Sequence, residues 1–206
     1  MTTLICSLSW VCTGGFILFF LILARKSNIL RDAIDNPAAF IRNAAINAIK
    51  YENVSFDKIP RPFSLARSQF ACWTLIITSA YLEHFLCRDC VIPLSCSSTA
   101  LALLSISAGT AAIANIIDRN DAMAGLMIPR HQNTVSQGFF YDILSDASGI
   151  SIHRFQHLIW TIVAMIIFCC RAAKDICALP GFDSTILALT GISSAAYLGL
   201  KLNENK

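Results

Sequence analysis

The chain has 206 residues, 55% of them hydrophobic and only 14% charged, against roughly 25% charge for an ordinary soluble domain. Its mean hydropathy is +0.60, and its charges are clumped between long uncharged runs, which argues against a soluble domain and for an integral membrane protein. The net charge of +3 carries no message as a total; where the charges fall matters more.

In chain order, residues 4–24 (LICSLSWVCTGGFILFFLILA) are uncharged and long enough for one membrane-crossing helix. Arg25 and Lys26 follow this run, and no basic n-region or small-x-small cleavage site precedes or ends it, so it reads as an anchor and not a signal peptide. Residues 28–58 are not a simple linker. After Pro37, Phe40, Ile41, Ala44, Ala45, Ala48 and Ile49 recur at helical spacing, predicting an amphipathic helix that stops near Tyr51. Pro60 and Pro62 then predict an extended approach to the next span.

Four further spans are predicted, at 69–87, 98–117, 155–170 and 184–200. The third span of the chain is rich in Ala, Ser and Gly, as are helices that pack on other helices. The spans at 69–87 and 155–170 can be lengthened by starting at about Ser64 and Ser151, either of which suits a helix cap. Between them, DILSDASG (142–149) predicts a short helix ended by Gly149. With five spans, segments 25–67, 118–154 and 201–206 share one side and hold 13 of the 16 Lys and Arg. That side is therefore cytoplasmic, with the N-terminus outside and the C-terminus inside.

The chain also repeats itself. SLARSQFACWT (64–74) and SIHRFQHLIWT (151–161) share Ser, Arg, Gln, Trp and Thr at matched offsets. STALALLSIS (98–107) and STILALTGIS (184–193) share seven of ten residues. These are two copies of a two-helix unit that both enter from the cytoplasmic side, hence parallel repeats related by an axis along the membrane normal. The expected organisation is an anchor (1–27), a cytosolic helical segment (28–63), a first membrane repeat (64–118), a cytosolic loop (119–150) and a second membrane repeat (151–206). The fold class is thus all-α integral membrane, with about five transmembrane helices and a small helical cytosolic crown.

In the repeated entry blocks, Arg67 and Arg154 are expected at headgroup level and Trp73 and Trp160 just inside the membrane, with Gln69 and Gln156 turned away from the Trp side. One reading makes these six interface anchors. The other has Arg and Gln line a vestibule or tie the repeats together. Ser105, Ser107, Gly109 and Thr110, with Gly191, Ser193 and Ser194 in the second copy, are candidates for lining a path or for close helix approach.

No Walker loop, GxGxxG, HExxH or GxSxG is present, so no enzyme is expected and no cofactor. His153 and His157 are four apart, but two ligands do not close a metal site, and no metal is expected. The nine cysteines include no pair of CxxC units, and most read as small apolar residues. One disulfide among Cys87, Cys90, Cys96 and Cys177 is plausible if they face the oxidising side. Glu83, near the outer end of its span, is an intramembrane acid that either pairs with Arg88 or snorkels.

The paired blocks FSLARSQFACWT…LLSISAGTAAIANIID and DILSDASGISIHRFQHLIWTIVAMIIF…FDSTILALTGISSAAYLGLK resemble a bacterial inner-membrane family with a duplicated helix pair, over about residues 63–202. That family includes the membrane effector of the Hailong type of anti-phage defence. The resemblance implies a homotetrameric ion channel, closed by an oligodeoxyadenylate from a partner nucleotidyltransferase and opened when that signal is lost. In that reading Arg31, Arg42, Lys50, Lys58, Arg61 and Arg130 are the expected anion contacts. The competing readings are a non-conducting scaffold or sensor that recruits a soluble partner, and a small transporter.

Overall fold

The computed structural model describes residues 2–34, 36–47, 54–87, 98–123, 134–146, 149–174 and 184–202. Most of the chain is helical. Helix α1 spans Thr2–Lys26, α2 Pro37–Asn47, α3 Leu65–Cys87, α4 Ser98–Met123, α5 Phe139–Leu144, α6 Ile152–Lys174 and α7 Ser184–Lys201. The expected run-on of the short spans is seen: α3 begins one residue after Ser64 and α6 one residue after Ser151. Two of the helices are long and apolar enough to cross a membrane, α4 over Ser98–Asn120 and α6 over Ile152–Ala172.

Helices α3, α4, α7 and α6 pack in that order as a four-membered bundle, and α1 lies along α3. Their directions follow from the side chains that meet. Arg67 reaches Asn115 at one end of α3 and α4, while Ile77 and Ala100 share one apolar cluster nearer the other, so these two are antiparallel. α6 and α7 are antiparallel likewise, with His157 on Ser193 at one end and Phe168 beside Ile186 and Leu187 further along. Gln69 meets Thr161 and Trp73 meets Phe168, so α3 and α6 run parallel. α4 and α7 do too, joined by Asp118 and Lys201.

Two apolar clusters fill the bundle. The far one holds Trp73, Ile77, Ala100, Leu103, Ala164 and Phe168. Trp73 stands edge-on to Phe168, ring centres 6.2 Å apart, and is fully buried. The expectation of Trp73 in an aromatic belt is therefore corrected: it is a core residue. Gln69 and Trp73 also share a face, because four residues make just over one helical turn; the expected opposition of the two was mistaken. The near cluster holds Leu65, Ala66, Ala111, Ala114, Ile143 and Tyr197. Outside, Leu18, Phe19, Ile116, Ile166 and Ile192 point away from the bundle. Large apolar side chains thus face both the inside and the outside of the bundle.

The cap sits on the end where α3 and α6 start. Asn36 Oδ1 accepts from the Ala39 amide at 3.0 Å, an N-cap one residue before Pro37. Among the described residues of α2, Phe40 and Ala44 are buried while Ile41 and Ala45 face out; Ala48, Ile49 and Tyr51 lie outside the described residues. Phe40 and Ala44 pack with Ile59, and Phe40 stands edge-on to Phe56 at 5.8 Å. Residues 60–64 are extended, as Pro60 and Pro62 predict, and are pinned on both sides. Asp32 N donates to Pro62 O (3.0 Å) and Ser64 N to Leu30 O (2.9 Å) on one side; Ser136 N donates to Pro60 O (2.9 Å) on the other.

The expected helix over 142–149 is corrected. The helix is α5, over Phe139–Leu144, and it ends in a hairpin pairing β1, Ser145–Asp146, with β2, Gly149–Ile150. Gly149 has φ of +120°, so its role is to turn the hairpin, not to close a helix.

Candidate functional site

The polar residues of the bundle gather at its cap end. Asp118 and Lys201, from α4 and α7, form an ion pair at 3.0 Å with side chains 12% and 2% exposed. The Tyr197 ring is the hub of this layer. Lys201 Nζ and Arg154 Cζ each lie 5.9 Å from its centre, and His157 stacks on it at 5.1 Å and 11°. Two cations beside one aromatic face gain attraction from the ring quadrupole that partly offsets their burial.

One turn deeper lies a neutral tier. The Gln69 amide donates to Thr161 Oγ1 at 2.9 Å and sits 3.5 Å from the His157 carbonyl oxygen. Thr161 itself donates to that carbonyl at 2.8 Å. His157 Nδ1 meets Ser193 Oγ at 3.1 Å, while its Nε2 is buried and has no hydrogen-bond partner. The layer is a set of hydrogen-bonded and charged groups that couples all four helices.

The six entry-block residues therefore occupy unlike positions. Arg67 donates to Asn115 Oδ1 at 3.0 Å, Arg154 and Gln69 are buried and Trp160 is half-buried, while Gln156 is exposed. For Gln69 the structure follows the alternative in which it ties α3 to α6. Among the small residues, Ser107, Thr110, Ser193 and Ser194 are buried and Ser105 is exposed. Thr110 bonds its own helix at Ile106 O, 2.7 Å. A Cβ placed on Gly109 or Gly191 meets nothing within 4 Å, so neither glycine is needed for close helix approach within one chain. His153 bonds Ser151 Oγ through Nδ1 at 2.6 Å. His153 and His157 join no group of three His, Cys, Asp or Glu that could hold a metal among the described residues.

The anion candidates divide. Arg42 and Lys58 are exposed and Arg61 half-buried, its guanidinium 5.2 Å over Phe56. Arg31 is committed to the cap: it donates to Arg61 O and lies 4.1 Å over the Phe63 ring. Burial holds the Arg31 guanidinium below the ordinary arginine value, and the Asp142 carboxylate pulls the other way. Lys50 and Arg130 lie outside the described residues, as do Arg88, Cys90, Cys96 and Cys177.

Sequence reasoning missed the centre of the cap. Asp142 is 1% exposed and accepts three hydrogen bonds: from Ser136 Oγ at 2.6 Å, Gln137 N at 2.9 Å and Phe63 N at 3.2 Å. It thereby joins the segment before α5 to the one that leads into α3. Comparison with protein-family models, curated proteins and solved structures finds no match for this chain.

Proposed function

We propose that the chain is an oligomeric ion-channel effector of a bacterial inner membrane, with a basic cap that takes a single-stranded oligonucleotide and holds the channel closed while the ligand is bound. On loss of the ligand the channel opens and depolarises the cell. The observation that supports this best is the direct linkage of cap to a helix end. Leu30 O accepts from the amide of Ser64, one residue before α3, and Asp32 N donates to Pro62 O just upstream. A ligand that shifts residues 30–32 thus acts on the start of α3. Arg42, Lys58 and Arg61 are the basic side chains left at the surface for it. The resemblance in the entry blocks supplies the choice of oligodeoxyadenylate, and the tetramer.

A fluorescent oligo-dA should bind the purified protein and lose affinity steeply as salt rises, because each phosphate contact releases a counterion. Arg42→Gln with Lys58→Gln should flatten that slope by about two phosphate contacts. Equal binding of a size-matched neutral polymer would remove the ligand from the reading, and liposomes without ion flux in either state would remove the channel. The scaffold reading draws on one observation, the exposed Ile41 and Ile46 on the outer side of α2.

A further inference from the structure

The α3–α6 joint has two halves, and each half is written twice in the chain. The donor half is Gln69, and its repeat counterpart, 87 residues on, is Gln156. The acceptor half is Thr161, and its counterpart, 87 residues back, is Thr74. Within one chain Gln69 meets Thr161 at 2.9 Å. The other two halves are left over: Gln156 is exposed on α6, and Thr74 is half-exposed on α3 beside the exposed Phe70.

The acceptor left over is already set in the geometry of the acceptor in use. Thr161 Oγ1 donates its proton to the His157 carbonyl, four residues back, at 2.8 Å. Thr74 Oγ1 donates its own to the Phe70 carbonyl, four residues back, also at 2.8 Å. With its proton spent within its helix, each hydroxyl offers only lone pairs outward. That suits a carboxamide N–H from a neighbour.

We infer that a second copy of this chain docks on the first through Gln156 of one and Thr74 of the other, repeating between chains the joint that Gln69 and Thr161 make within one. This rests on the proposed self-association and gives it a surface. Because α3 and α6 run parallel, the repeated joint keeps every copy the same way up, as copies inserted in one membrane must be. The two faces differ, so the contact is heterologous, and its repetition closes a ring or extends a filament. A channel requires the ring.

The test uses the full chain in nanodiscs. Native mass spectrometry should show an oligomer whose subunit affinity falls about five- to tenfold in Gln156→Ala and again in Thr74→Val, the loss of one hydrogen bond per joint. Mixing isotope-labelled Gln156→Ala chains with Thr74→Val chains should restore one wild-type joint per pair and give a discrete heterodimer. A contact in which Gln156 meets the Gln156 of another copy across a two-fold axis predicts no such rescue. A p-benzoylphenylalanine at position 156 should crosslink to the peptide containing Phe70 and Thr74 of another copy. Crosslinks to lipid alone, or to another region of the second copy, overturn the joint. So does an oligomer indifferent to both substitutions. If such an oligomer still conducts ions, the channel stands without this joint. If the 156–74 crosslink forms and no flux is found, the joint stands and the channel falls.

Discussion

Lys201→Met should destabilise the bundle by about 3–5 kcal/mol. The substitution nearly conserves the length of the side chain and removes only its charge. It leaves the Asp118 carboxylate at the cap end of α4 without its 3.0 Å partner, in a site where that side chain is 12% exposed. The cost comes from stranding a charge more than from losing an attraction. A double variant, Asp118→Leu with Lys201→Met, should therefore recover most of the stability, since a well-packed apolar pair often equals a buried ion pair. Denaturant unfolding in detergent micelles, followed by near-ultraviolet circular dichroism, reads both. Equal damage in the single and double variants would show that the pair is worth more than its isolation cost. A harmless Lys201→Met would mean that water reaches Asp118.

Asp142→Ala is expected to release the cap while sparing the bundle. It orphans the Phe63 and Gln137 amides and the Ser136 hydroxyl together. Phe63 and Ser136 are half-buried and Gln137 is exposed, so water replaces part of what is lost, and the loss is about 1–3 kcal/mol in all. Arg31 would also lose the carboxylate that favours its charge. Hydrogen exchange separates the two levels of structure. Amides of Asp32, Ser64 and Ser136 should lose protection first, as a locally unfolding unit, while those around Trp73 and Leu103 keep theirs. Asp142→Asn, which retains one acceptor oxygen, should lie between. Uniform loss of protection would show that cap and bundle unfold as one.

These two sites also mark what the sequence could and could not reveal. Periodicity and punctuation were legible. Pro37 stands at the first position of α2, the extended 60–64 stretch follows its two prolines, and α3 and α6 start where the repeat starts. The interactions that join distant segments were not. Asp118 with Lys201, and Asp142 with Phe63 N, lie 83 and 79 residues apart. Each residue alone reads as an ordinary charge at a helix end or in a loop. Trp73 failed for a related reason: position along a span sets the depth of a side chain, but only the packing of neighbours decides whether it faces lipid or core. A signal was present for Gln69, since a polar residue that recurs with the repeat needs a partner that recurs too. Thr161 and Thr74 are that partner, five residues after each Gln.

The separation of Asp118 from Lys201 also has a consequence for the order of manufacture. The acid leaves the ribosome 83 residues before the ammonium that neutralises it, an interval of roughly 4–17 s at 5–20 residues per second. During that interval α4 can reach its place beside α3 through Arg67 and Asn115, but its cap-end carboxylate must stay hydrated. Water can leave that end of the bundle only when α7 arrives, so sealing of the polar layer waits for that helix to be made.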